Sequence, residues 1–296
     1  MTAEHYDALT RWESSAGQGP VLRGRHSRPA TKPMQETIHF LHGNGFCGGV
    51  YWPMLQQLLP DYALFTHDIE GHGDSDAPST FSGVRAIVRR IPQIMADQNV
   101  APGNLIGMGH SFGGALTLRV AAENPGLFKA IVLLDPIVIP PLPFFGLKLM
   151  SLIGRHPLSR PTRRRRDTWP SRAAVMDSLR GRGAFKNWTE AALHCFAQYA
   201  IREVAGECKL ACPKELEVQI FEHPVYPWNA FQKVKVPILF LRGMNSYDFF
   251  PWAERLARRA NPAITFQQLP GWHCFMQEDP TAASAAVRTF LRQHLE

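Results

Sequence analysis

The chain contains no charge-free apolar run of the roughly eighteen residues that mark a membrane-spanning helix. Its first residues carry Glu4 and Asp7 and lack an apolar stretch, so no signal peptide is expected. No long segment is polar throughout and only 19% of residues are charged, which argues against wholesale disorder. Cysteine is scarce and odd in number: Cys47, Cys195, Cys208, Cys212 and Cys274 have no regular spacing. That pattern excludes a disulfide framework and fits reduced thiols in a cytoplasmic protein. Cys208-x-x-x-Cys212 has no second Cys/His pair at zinc-ligand spacing, so no metal is expected there. There are no internal repeats.

What is present is enough apolar material, 45% of 296 residues, for one large core with room for an insertion. The net charge of +7 is modest and much of it sits in Arg163–Arg166. With no aromatic residues interleaved, that run reads as a solvated face, and no nucleic-acid partner is expected.

Short apolar runs alternate with amphipathic ones. After a Pro-containing connector at 28–33, residues 36–41, 63–68, 104–108, 129–134, 236–242 and 264–269 read as strands. Helices are expected at 52–59, 84–99 (kinked or split at Pro92), 115–124, 252–260 and 281–295. Residues 21–26 pair with the N-terminal segment as a short antiparallel ribbon. Alternation at this spacing predicts an α/β fold, a mostly parallel central sheet with helices on both faces. It breaks at Asp135-Pro136. Residues 137–228 read as a helical cap or lid insertion, with helices at 147–153, 172–179 and 189–201, between core segments 1–136 and 229–296. The opening of that insertion, Ile137 to Phe145, is too rich in proline for a core helix and suggests an apolar ledge.

Chemistry concentrates in the turns that leave the strands. Gly107-Met108-Gly109-His110-Ser111-Phe112-Gly113-Gly114 joins a strand to a helix through Gly-x-Ser-x-Gly, the pattern of a nucleophile elbow. It holds Ser111 in a strained backbone with the positive end of a helix behind it. An activated serine needs a base, an acid to orient the base, and donors for the oxyanion. The base is expected to be His273, in the turn after the last strand; His42, His72 and His110 brace loops, and His194 and His223 lie in the insertion. Two carboxylates compete as the acid: Asp248, the preferred one, and Asp135. The oxyanion donors are expected to be the backbone N–H groups of Phe112 and Asn44, the latter fixed within one residue because Gly45 is the alternative.

Four motifs in this order, His42-Gly43-Asn44-Gly45-Phe46, Gly71-His72-Gly73-Asp74-Ser75, Gly109-His110-Ser111-Phe112-Gly113-Gly114 and Gly271-Trp272-His273, resemble the α/β-hydrolase superfamily, on its serine-dependent esterase and lipase side. The resemblance covers about residues 36–295 and puts a cap at the insertion. It departs in one respect: that superfamily usually has Gly-x-x-Asp after the strand at 236–242, whereas here Ser246 stands third past Gly243 and Asp248 comes two places late. Some members take the acid from the strand after the elbow, at a position like Asp135.

The resulting expectation is a hydrolase of apolar carboxylic esters, of medium-chain or aromatic acyl groups, working through an acyl-enzyme with no cofactor. Its pocket would be lined by Phe46, Pro140, Phe144 and Phe145, and roofed by Trp169, Phe185, Trp188 and Trp228. On the same residues stand carbon–carbon bond hydrolysis, lactone hydrolysis and acyl transfer, since a fold does not fix its chemistry. A binding protein with no working acid is the alternative outside catalysis.

Overall fold

The computed structural model describes residues 4–15, 19–27, 36–100 and 102–295; the connector expected at 28–33 lies outside them. The strands are β1 (Thr10–Ser14), β2 (Leu22–His26), β3 (Thr37–Leu41), β4 (Ala63–Asp68), β5 (Leu105–His110), β6 (Phe128–Leu134), β7 (Thr168–Trp169), β8 (Ile201–Val204), β9 (Glu207–Leu210), β10 (Ile238–Gly243) and β11 (Ile264–Leu269). Eight of them form one sheet in the order β1-β2-β4-β3-β5-β6-β10-β11. The pairs β1–β2 and β2–β4 are antiparallel, and every later pair is parallel. The sheet is buried on both faces, which is why its central strands are continuous apolar runs rather than alternating ones. In β6, Ala130, Val132 and Leu134 join the core on one face, while Phe128, Ile131 and Leu133 join the core on the other.

The helices that matter below are α1 (Val84–Asp97), α2 (Phe112–Glu123), α3 (Pro141–Leu152), α4 (Ser159–Arg164), α5 (Arg172–Leu179), α6 (Glu190–Tyr199), α7 (Lys214–Glu222), α8 (Phe250–Ala260) and α9 (Pro280–Leu295). Three differ from expectation for identifiable reasons. Pro92 does not split α1, because Ile87, Val88, Ile91, Ile94 and Met95 bury one continuous face across it. Tertiary packing there outweighs one lost backbone hydrogen bond. The proline-rich ledge is helical from Pro141 on; that residue sits at the first turn of α3, where a missing N–H costs nothing. The segment 52–59 is not one helix but a single α turn, Trp52–Leu55, running into a 3₁₀ turn, Gln56–Leu58, with another 3₁₀ turn, Gly48–Tyr51, ahead of it.

Between β6 and β10 the chain is not purely helical. The helix expected at 189–201 stops at Tyr199, and β8 and β9 form a hairpin that β7 extends to a three-stranded antiparallel sheet. The hairpin turns through Ala205 and Gly206, both at positive φ (52° and 79°), as its tight two-residue loop requires. The arginine run zips this segment together: Arg163 forks onto Glu215 of α7 with two 2.9 Å bonds, and Arg165 forks onto Glu217.

The elbow packs too tightly for side chains. A Cβ on Gly113 would lie 2.3 Å from the Leu41 carbonyl oxygen and 2.4 Å from that of His42; one on Gly109 would lie 2.4 Å from the Gly113 oxygen. The obstacles are backbone atoms of β3, of its exit and of α2, and cannot swing aside. Gly113→Ala should therefore destabilise the fold by about 3 kcal/mol or more, measurable as a fall in the denaturant midpoint; an unchanged midpoint would mean that the elbow is looser than described.

Candidate active site

All the turns singled out in the sequence leave the carboxyl edge of the parallel strands, where ligands bind in sheets of this kind. Ser111 caps α2 with φ 54° and ψ −118°, a conformation a non-glycine residue adopts only when its surroundings impose it. The surroundings here are explicit: its N–H donates to the Leu134 carbonyl, and its own carbonyl accepts from Ala115 and Ile137. The side chain is left at the mouth of the sheet, with 8% of the residue exposed.

His273 stands over it. The Ser111 hydroxyl lies 2.9 Å from His273 Nε2, and His273 Nδ1 lies 2.6 Å from an oxygen of Asp135. The carboxylate brought to the imidazole is thus that of Asp135, not the preferred Asp248. Asp135 is fully buried at the end of β6 with φ 43°, a left-handed conformation that aspartate tolerates better than most residues. Its Oδ1 accepts from the Gly243 N–H at 2.9 Å, and its Oδ2 accepts from the Ser246 hydroxyl at 2.5 Å as well as from His273. Asp248 is solvent-exposed and lines a second cleft, of about 780 Å³, that shares His273, Tyr247 and Cys274 with the cavity beside Ser111. The physical reason is strand pairing: β10 lies against β6, so the end of β6 sits beneath the turn where Asp248 was expected to act.

The remaining turn histidines are buried and neutral. Burial pulls the His72 imidazole down to about 4, and lowers His42 and His110 well below the ordinary range, a neighbouring histidine adding to it in each of the latter two. Each holds backbone. His42 donates to the Gly43 carbonyl and accepts from the Ile69 N–H. His72 donates to the Glu70 carbonyl and accepts from the Gly45 N–H at 3.0 Å. His110 Nε2 donates to the His273 carbonyl at 3.0 Å, so its Nδ1 accepts from the Tyr51 hydroxyl at 2.7 Å. Tyr51 in turn accepts from the Gly43 N–H. One buried relay therefore ties the turn after β3 to the backbone of His273. It was not found in the sequence, because Tyr51 belongs to no turn motif.

These bonds occupy the N–H groups of Gly43 and Gly45, and leave that of Asn44 between them; Phe112 is the first residue of α2, whose N–H has no partner within the helix. The Asn44 side chain donates to the Glu217 carbonyl, so α7 rests directly on this turn.

A cavity of about 420 Å³ opens beside Ser111, walled by Phe46, Ile139, Leu147, Phe185, Phe196 and Phe249 among others. Of the expected pocket residues, Phe46 and Phe185 line it. Pro140, Phe144 and Phe145 do not: Phe144 packs on Tyr226 with ring centroids 5.0 Å apart, and Phe145 is 57% exposed. Helix formation turned Phe145 outward and seated Phe144 against Tyr226 instead. Trp169, Trp188 and Trp228 lie behind the wall in the packing of the insertion. Two ionic groups reach the cavity, Glu217 and Arg165, paired with each other; burial raises the Glu217 carboxyl and Arg165 opposes that rise. All five cysteines are free and buried, and among the described residues no three His, Cys, Asp or Glu side chains stand together as a metal site.

An elbow serine at the edge of a mostly parallel sheet, facing a histidine from the last strand's turn, defines the α/β-hydrolase architecture. Residues 40–287 match the sequence profile of the Alpha/beta hydrolase family, and the chain belongs to that family. It is 32% identical over 127 residues to monoglyceride lipase of Homo sapiens, across 41% of each chain. It is 34% identical over 90 residues to lipase LipV of Mycobacterium tuberculosis, across 30% of this chain and 33% of that one. These matches span less than half the length of either relative. In fold it is similar to E-2-(acetamidomethylene)succinate hydrolase, with a TM-score of 0.78 at 21% identity over 96% of this chain and 99% of that one.

The buried histidines make stability pH-dependent. Their folded pKa values lie below the unfolded value near 6.5, so between the two the unfolded chain binds more protons and stability falls as pH falls. For His72 the window runs from about 6.5 down to about 4. Denaturant midpoints should drop from about pH 7 to about pH 5 at up to 1.4 kcal/mol per pH unit for each buried imidazole. His72→Gln should flatten that slope; a slope unchanged by the substitution would contradict the role given to His72.

Proposed function

We propose that the protein is a serine hydrolase that cleaves carboxylic esters of apolar acyl groups through an acyl-enzyme. The observation that carries this reading is the unbroken hydrogen-bonded chain from Ser111 through His273 to Asp135. Ser111 Oγ attacks the ester carbonyl carbon while His273 Nε2 takes its proton, and the imidazolium so formed is stabilised by the Asp135 carboxylate. The carbonyl oxygen, now negative, is held by the N–H groups of Phe112 and Asn44 beside the positive end of α2. When the tetrahedral adduct collapses, the C–O bond breaks and His273 returns the proton to the departing alcohol. Water then repeats the sequence on the acyl-enzyme, and Ser111 recovers its proton.

The apolar wall around Ser111 supports an acyl group that is medium-chain or aromatic rather than highly charged. Residues 137–228 act in this reading as a cap over the cavity, and their contact with the turn after β3, through Glu217 and Asn44, links cap position to one oxyanion donor. Ser246, at the place usually held by an acid in this family, serves by hydrogen-bonding Asp135.

Turnover of a series of p-nitrophenyl esters tests both parts. Each methylene that enters the cavity should raise kcat/KM by up to about fourfold, from about 0.8 kcal/mol per buried CH₂. A flat series, or preference for a charged acyl group, would overturn the substrate class. Asp135→Asn should lower kcat by about three to four orders of magnitude, whereas Asp248→Asn stays near wild type. The reverse pattern in folded protein would move the acid to Asp248.

A further inference from the structure

Among the described residues twelve large apolar side chains are exposed, and seven of them fall between positions 142 and 158. Leu142, Phe145, Leu149 and Leu152 recur at i, i+3, i+7 and i+10 of α3, which puts them on one face. Leu142 and Leu152 are 76% and 77% exposed, Leu149 60%, and Ile153 continues the stripe past the helix end. The opposite side of the same helix faces inward, with Phe144 buried and Leu147 in the cavity wall. An apolar patch of this size is uncommon on a protein that meets only water.

The charge along this segment is one-sided. From Pro136 to Arg166 there is no aspartate or glutamate, and there are seven cations. Arg163 and Arg165 are held by α7 carboxylates, and Arg166 caps the Thr168 carbonyl. Lys148, Arg155, Arg160 and Arg164 are exposed and make no ion pair among the described residues. An apolar helix face followed along the chain by exposed, unpaired cations matches a surface that offers acyl chains below and negative headgroups above.

We propose that the Leu142–Leu158 face docks onto an anionic phospholipid bilayer, with the apolar stripe at headgroup depth and Lys148, Arg155, Arg160 and Arg164 against the lipid phosphates. The docked segment is also a wall of the cavity beside Ser111, through Leu147, Pro157 and Leu158, so an apolar molecule leaving the bilayer meets that cavity first. The docking does not depend on the ester chemistry.

Co-sedimentation of the full chain with vesicles tests it, using phosphatidylcholine alone and phosphatidylcholine with roughly a third phosphatidylserine. Wild type should bind the anionic vesicles at least about tenfold more tightly than the neutral ones, and lose that advantage as salt rises. The double variant Leu149→Glu, Leu152→Glu and the quadruple variant Lys148→Gln, Arg155→Gln, Arg160→Gln, Arg164→Gln should each weaken binding by about tenfold or more, with thermal unfolding unchanged. All these positions are exposed, so the variants should fold. No binding to anionic vesicles would overturn the proposal, as would equal binding to neutral ones or undiminished binding by the double variant. Self-association that the double variant abolishes, without vesicle binding, would show that a second copy covers this face.

Discussion

The Asp135 carboxylate holds the active edge of this protein together. It is fully buried, yet its two oxygens accept from the β10 backbone, from Ser246 and from His273. A carboxylate left unpaired at such depth would be costly, so each donor is also a structural requirement. Through them the ends of β6 and β10 and the turn after β11 are pinned to one point, and His273 is set above Ser111. The neighbouring glycine enforces the same closeness: a Cβ on Gly243 would lie 2.3 Å from the Trp272 carbonyl oxygen. The imidazole is therefore fixed from both ends, by Asp135 at Nδ1 and by the His110 relay at its backbone.

Much of this was legible in the sequence because it is encoded locally. Gly109 and Gly113 around Ser111 are demanded by backbone contacts a few residues or one strand away, and the continuous apolar runs of β5, β6 and β10 report burial on two faces. The acid was harder. Chain position favoured Asp248, while the carboxylate that reaches His273 is set by the parallel pairing of β6 with β10, which no local pattern records. Ser246 looked like a missing acid and is a hydrogen-bond donor to Asp135. The alternative of a binding protein without a working acid rested on that displacement; a carboxylate, Asp135, does lie 2.6 Å from His273.

The insertion misled for a different reason. Its prolines were weighed as helix breakers when Pro141 occupies a first turn, and Ala205 hid a hairpin because alanine seldom takes a positive φ. The direction in which a helix presents its apolar residues depends on what packs behind it. Phe144 and Phe145 were therefore assigned to the pocket, while Leu147 walls it and Phe145 faces outward. Arg163–Arg166 reads as one feature in the sequence but divides in the structure, two side chains stapling α4 and its exit to α7 and Arg164 exposed with no ion pair among the described residues.

The central claim is that Ser111 is a nucleophile activated by the His273–Asp135 pair. The most direct measurement is reaction of the folded protein with a fluorophosphonate, followed by intact mass and peptide mapping. One adduct on Ser111, formed rapidly by wild type, slowly by Asp135→Asn and not at all by Ser111→Ala, is the predicted result. Folded wild-type protein that stays unlabelled, or that carries the adduct on another residue, would contradict the account.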